Sequence, residues 1–127
     1  MAKPSGGQPT NPSPRTRLRV VVVGPCAAGK STLVARLRCR GYEAEAAAQE
    51  HAGIPTLWRR KRPDILVYLD CSLETIKKRR QTTWGARQLA QQVRRLAHAR
   101  RHADLYLVTD RFSPEKIAAA VERFLAG

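Results

Sequence analysis

Acidic residues are scarce in this chain: ten Asp and Glu stand against 24 Lys and Arg, for a formal net charge of +14. Long apolar runs are missing as well. No stretch reaches the length of a membrane span and none has the form of a signal-peptide core, so no membrane partner is expected. Cysteine is rare, and Cys26, Cys39 and Cys71 follow no metal-binding or redox spacing. Aromatic residues make up 6% of the chain, and none interleave with basic residues in an RNA- or DNA-reading pattern. No internal repeat is present.

What the chain does have is charge in clusters: Arg59–Arg62, Lys77–Arg80, Arg94-Arg95 and Arg100-Arg101. Such a surplus raises the local concentration of polyanions. A multiply charged nucleotide is one candidate partner and nucleic acid is another. The simple alternative is a solvated basic surface. Residues 1–16 are rich in Pro, Ser and Gly and carry no apolar period, so they are expected to form a disordered tail. Residues 17–127 are then one compact domain.

Residues 24–32 read Gly-Pro-Cys-Ala-Ala-Gly-Lys-Ser-Thr and fit the pattern G-x-x-x-x-G-K-[ST]. The β-branched run Leu18–Val23 precedes them, and apolar residues at helical spacing, Leu33, Val34 and Leu37, follow. Strand, glycine-bounded loop and helix are the setting in which this pattern wraps phosphates. Gly24, Pro25, Cys26, Ala27, Ala28 and Gly29 are the expected cradle, with Cys26 a small filler. Lys30 is the expected point charge for the β- and γ-phosphates, Ser31 the expected Mg²⁺ ligand, and Thr32 a second hydroxyl. The loop thus predicts binding of a nucleoside triphosphate such as ATP, with Mg²⁺. An odd cysteine count beside such a motif points to a reducing cytoplasm.

Strands are predicted at 18–23, weakly at 42–49, at 65–69 with Asp70 just past the end, and at 105–108. Helices are predicted at about 30–40, closed by Gly41, then at 73–80 capped by Ser72, at about 86–102, and from Ser113-Pro114-Glu115 onward. A short helical turn is expected from Pro55 to Trp58. Leu89, Val93 and Leu96 form the expected apolar stripe of the third helix, opposite Arg87, Arg94, His98 and Arg101. Ile117, Val121 and Phe124 form that of the last. The alternation predicts an α/β fold, a three-layer α/β/α sandwich on a parallel sheet of about four strands in the order 2-1-3-4, with a crevice at the end of the first strand.

This order of parts resembles the small P-loop kinases of nucleotides and metabolites, such as adenylate, thymidylate, deoxynucleoside and shikimate kinases. The resemblance rests on Gly24–Thr32, on residues 62–75 running from Arg62-Pro63-Asp64 through Leu69-Asp70 to Thr75, on the basic stretch Lys77–Arg87 in the lid position, and on residues 103–115. It implies a kinase-like phosphotransferase with a small-molecule acceptor, in which lid arginines (Arg79, Arg80 and Arg87, with Arg94 behind them) stabilise charge on the transferred group. It also places adenine near Asp110-Arg111-Phe112, where Arg111 stacks on the base and Phe112 seals the core. The family has five strands where this sequence offers four, and no Asp-Arg pair follows the second.

Two acids compete for the metal. Asp70 ends an apolar strand, although at that position in the family the Asp ties down local backbone. Glu50 lies past the weak second strand, with Gln49 and His51 beside it, and could also accept a proton from an attacking hydroxyl. Trp58 and Trp84 flank basic runs and are candidates for stacking or for burial against a helix. Two other functions stay open: a nucleotide-binding or hydrolytic module with no acceptor, and nucleic-acid binding switched by the nucleotide.

Overall fold

The computed structural model describes residues 18–80 and 85–127. The expected tail at 1–16, the stacking role of Trp84 and the middle of the lid stretch lie outside the described residues. Four strands form one parallel sheet: β1 (Arg19–Val23), β2 (Glu43–Ala46), β3 (Ile65–Asp70) and β4 (Leu105–Val108). Their spatial order is β2-β1-β3-β4, as the connection rules predict. Four α-helices accompany it among the described residues: α1 (Lys30–Cys39), α2 (Leu73–Arg80), α3 (Ala86–His102) and α4 (Pro114–Ala126).

The central strand is apolar on both sides because both sides are covered. Val20 and Val22 face α1, α2 and α4, packing with Leu33, Leu37, Ile76 and Val121. Val21 and Val23 face α3 and the segment before β3, packing with Trp58, Leu96 and Ala99. All four valines are fully buried. Such two-sided burial is the general condition of a parallel sheet.

Local chemistry sets the turns. Gly41, at φ 89°, lets α1 reverse into β2. Its N–H and that of Tyr42 return to the carbonyls of Arg38 and Leu37, each at 3.0 Å. The following Glu-Ala-Glu-Ala favours helix by propensity. Pairing with β1 overrides that, aided by the Arg38 Nε bond to the Ala44 carbonyl (2.7 Å). Ser113 caps α4 by accepting from the Lys116 N–H, with Pro114 in the first position.

Several local expectations change. Asp70 is the last residue of β3 rather than a residue beyond it. The turn after Pro55 forms later, as 3₁₀ turns at Leu57–Lys61, preceded by another at Gln49–His51. The buried stripe of α3 is Gln92, Leu96 and Ala99, and Val93 is exposed. The stripe rotates because the buried Gln92 finds hydrogen-bond partners on the loop and Ala99 joins the cluster around Trp58. His98, expected on the solvent face, accepts the Trp58 indole N–H at Nδ1 (3.1 Å). Phe124 is exposed, and Ala118 takes its place on the buried face of α4. Phe112 is exposed too and does not seal the core.

Candidate functional site

A cleft of about 530 Å³ opens where the strands end. That is within the usual size range for a small-molecule site. It lies between the loop after β1, the turn after β2, the end of α2 and the start of α4. Cys26, Ala27, Gly29, Lys30, Ser31 and Thr32 line its loop side, and Glu50, His51, Arg79, Arg80 and Phe112 face them. The sheet order reverses at this point, between β2 and β3 on either side of β1.

Residues 24–29 form a tight loop with three left-handed backbone positions, Gly24 (φ 153°), Ala27 (φ 63°) and Gly29 (φ 105°). Pro25 and Ala28 are buried, and the Ala28 N–H closes a turn onto the Pro25 carbonyl (3.2 Å). α1 begins at Lys30 with no side-chain cap. Its first ladder bond runs from the Leu33 N–H to the Gly29 carbonyl (3.0 Å). The N–H groups of Lys30, Ser31 and Thr32 precede that bond and have no partner within the helix, which leaves positive potential facing the cleft.

The Lys30 ammonium donates to the Gly24 carbonyl (2.7 Å), the Pro25 carbonyl (3.0 Å) and Glu50 Oε2 (2.8 Å). The pair is largely sheltered from solvent: side-chain exposure is 11% for Lys30 and 6% for Glu50. The other Glu50 oxygen, Oε1, is buried with no hydrogen-bond partner among the described residues. Breaking such a pair by removing one partner strands a buried charge.

Three residues without an assigned role in the sequence hold the site in shape. Gln92 accepts the Cys26 N–H at Oε1 (3.0 Å) and donates from Nε2 to the Cys26 sulfur (3.2 Å). Thr109, fully buried, donates its hydroxyl to the Ala28 carbonyl (2.9 Å). Gln49 receives the Trp58 N–H (2.9 Å) and donates to the Ile54 carbonyl (2.8 Å), which fixes the segment that carries Glu50. The signal for Gln92 was a polar residue one turn before Leu96. For Gln49 and Thr109 the sequence carried no comparable mark.

The candidate arginines part company. Arg79 reaches the loop and donates to the Ala27 carbonyl (2.7 Å) and the Thr109 carbonyl (2.9 Å). Arg80 lines the cleft. Arg87 is an exposed α3 residue outside the cleft lining, and Arg94 lines a separate pocket of about 290 Å³. Arg111 is exposed and does not line the cleft; its neighbour Phe112 does.

Asp70 is not part of the cleft either. Its carboxylate accepts the Cys71 N–H (2.9 Å) and the Tyr106 hydroxyl, so it ties backbone and sheet edge together. Burial and that carboxylate raise the Tyr106 phenol above its usual range. Of the two acids that competed for a metal role, only Glu50 lies with the loop. Beside it, ligand atoms of Cys26, Glu50 and His51 all lie within 4.8 Å of one another, a group able to hold a metal ion. The remaining cysteines differ: Cys39 is exposed, and burial pushes the Cys71 thiol up to about 11.

Ser72 caps α2 as expected, its hydroxyl oxygen accepting the Thr75 N–H (3.2 Å), and Asp110 braces that cap. Asp110 accepts the Ser72 N–H (2.9 Å), the Ser72 hydroxyl (2.8 Å) and the Thr75 hydroxyl. Burial alone pushes its carboxyl up, but those bonds and nearby Arg79 together leave it below the usual value. No helix among the described residues is long and apolar enough to cross a membrane. Compared with known proteins, the chain matches no family model and no curated sequence.

Proposed function

We propose that the chain is a P-loop protein that binds a nucleoside triphosphate, ATP as the reference case, and acts as a kinase-like phosphotransferase on a nucleotide or small metabolite in the cytoplasm. One observation carries this reading. The motif Gly24–Thr32 forms a strand–loop–helix turn at the switch point of a parallel sheet, with a lysine, an arginine and a buried acid gathered round it.

The chemistry follows from those groups. The free N–H groups at the head of α1 donate to phosphate oxygens. Lys30 exchanges the Gly24 and Pro25 carbonyls for the β- and γ-phosphates, a trade of neutral acceptors for charged ones. Arg79 and Arg80 stand across the cleft, where charge builds on a transferred phosphoryl group. The residues present suit Mg²⁺: the Ser31 hydroxyl is exposed toward the cleft, and Glu50 Oε1 is an unspent acceptor. Bound there, the ion would neutralise charge on the phosphates. Glu50 is also placed to take a proton from an attacking hydroxyl.

Equilibrium binding of a fluorescent ATP analogue with Mg²⁺ tests the donor side. Lys30→Ala is expected to weaken binding at least about a hundredfold, close to the value of one lost charge-assisted contact set. Because that variant strands Glu50, the double variant Lys30→Met/Glu50→Gln serves as a second arm that removes both buried charges. ATP-analogue affinity unchanged in both variants, with folding intact by circular dichroism, would sink the reading. Labelled ATP offered with a panel of nucleoside monophosphates and small alcohols then separates transfer from simple hydrolysis.

A further inference from the structure

The loop cysteine sits among ligands that a phosphate cradle does not require. Cys26 Sγ lies 3.8 Å from His51 Nε2, and that nitrogen lies 3.8 Å from Glu50 Oε2. We propose that Cys26, Glu50 and His51 form a binding site for a thiophilic divalent cation, Zn²⁺ in the first instance, at the rim of the loop.

Distances favour such an ion. Tetrahedral Zn²⁺ with bonds of about 2.3 Å to sulfur and about 2.0–2.1 Å to nitrogen or oxygen holds its ligand atoms roughly 3.3–3.6 Å apart. Contraction by a few tenths of an ångström brings the two 3.8 Å pairs to that spacing, and the remaining Cys26–Glu50 pair, within 4.8 Å, closes by a larger shift. The His51 side chain, 59% exposed, is free to make the adjustment. Donor chemistry points the same way. A thiolate and an imidazole suit Zn²⁺ and its transition-metal neighbours, whereas Mg²⁺ and Ca²⁺ take oxygen ligands.

The surroundings are those of a built site. Gln92, 3% exposed, donates its amide N–H to the Cys26 sulfur and so aims it. Lys30 anchors Glu50 Oε2, the same oxygen that lies 3.8 Å from His51, while Oε1 is buried and unspent. Thiolate and carboxylate together match the ion's charge, and the thiol proton leaves to solvent as the S–metal bond forms. Three protein ligands leave a fourth position for water or a ligand entering the cleft, the pattern of a reactive rather than a purely structural site. The proposal goes beyond the nucleotide reading; it shares Glu50 with that reading, but its test does not depend on nucleotide binding.

Titration of the metal-free chain with Co²⁺ tests it, followed by displacement with Zn²⁺. One equivalent of Co²⁺ is expected to give a thiolate charge-transfer band and visible tetrahedral bands, and both should vanish as Zn²⁺ is added. Cys26→Ser is expected to abolish the charge-transfer band, and Cys39→Ser to leave it intact. His51→Ala, at an exposed position where folding is not at stake, is expected to weaken Zn²⁺ binding at least about tenfold. Absence of the band in the wild-type chain, its persistence in Cys26→Ser or its loss in Cys39→Ser would overturn the site. Unchanged Zn²⁺ affinity in His51→Ala would do the same. ATP-analogue binding, measured separately on the metal-free chain, keeps a failure of this site apart from a failure of the nucleotide reading.

Discussion

At the scale of single residues, the two loop glycines are needed for different reasons. A Cβ on Gly24 would stand 2.1 Å from the Leu69 carbonyl oxygen of β3, at a φ of 153°. A Cβ on Gly29 would meet nothing within 4 Å, so only its φ of 105° resists substitution. Gly24→Ala is therefore expected to cost about 3 kcal/mol or more, through a backbone clash that cannot relax cheaply. Gly29→Ala should cost about 1–2 kcal/mol, the left-handed penalty alone. Urea denaturation of the two variants checks the ranking; equal costs would contradict it. The motif announced both positions in the sequence. It could not announce which neighbour enforces the first, since Leu69 lies far along the chain. Likewise the pattern supplied Lys30 but not the carboxylate that holds it. Both Glu50 and Asp70 stood in the sequence as acids at strand ends; the family resemblance already implied a backbone tie for Asp70, which its bond to the Cys71 N–H matches, and the fold adds that Glu50 turns to the loop and Asp70 also to Tyr106.

At the scale of elements, the strands are pinned at their starts by a repeated device. Asp64 and the backbone of Arg19 exchange two bonds of 2.8 Å: the Arg19 N–H donates to Asp64 Oδ2, and the Asp64 N–H donates to the Arg19 carbonyl. Asp104 and Leu66 repeat the arrangement one strand over, again at 2.8 Å. Each aspartate precedes a strand by one residue and sets its register against the strand beside it. Asp104→Ala should cost about 1–3 kcal/mol by leaving the Leu66 N–H without its carboxylate; a thermal melt unchanged within error would contradict this. Strand existence was legible from the apolar runs, and strand order from handedness and connection length. The faces of α3 and α4 were less so. Period alone gives Leu89, Val93 and Leu96 the same standing as Gln92, Leu96 and Ala99, and the choice is made by a buried amide with partners waiting on the loop.

At the scale of the whole molecule, titration should expose two separate acid losses of stability. His98 accepts the Trp58 N–H and stacks on His102 at 4.3 Å. Burial, then the charges of His102, Arg59 and Arg101, hold its imidazole below the usual 6.5. The unfolded chain therefore binds the proton more readily. The contribution of this contact is complete above pH 6.5 and declines as pH falls through the lower folded value. The Asp110 carboxyl, also below its usual 3.8, gives a second decline at more acid pH. Denaturation midpoints measured from pH 8 downward should fall in both windows, and His98→Gln should remove the first. A flat profile between neutrality and pH 5 would contradict the assignment. Charge, in contrast, says little about purpose at this scale: the exposed runs Arg59-Arg60 and Lys77–Arg80 include Arg79, whose guanidinium also moors the loop at the Ala27 and Thr109 carbonyls.

The loop after β1 is moored from three directions. Arg79 reaches it across 52 residues of sequence, Gln92 across 66 and Thr109 across 81. A hinge needs slack, and these tethers take it up. Residues 24–29 therefore behave as the keystone of an arch: displacing them obliges α2, α3 and the strand-end turn after β4 to give way together, so a disturbance at the cleft registers at once on both faces of the sheet.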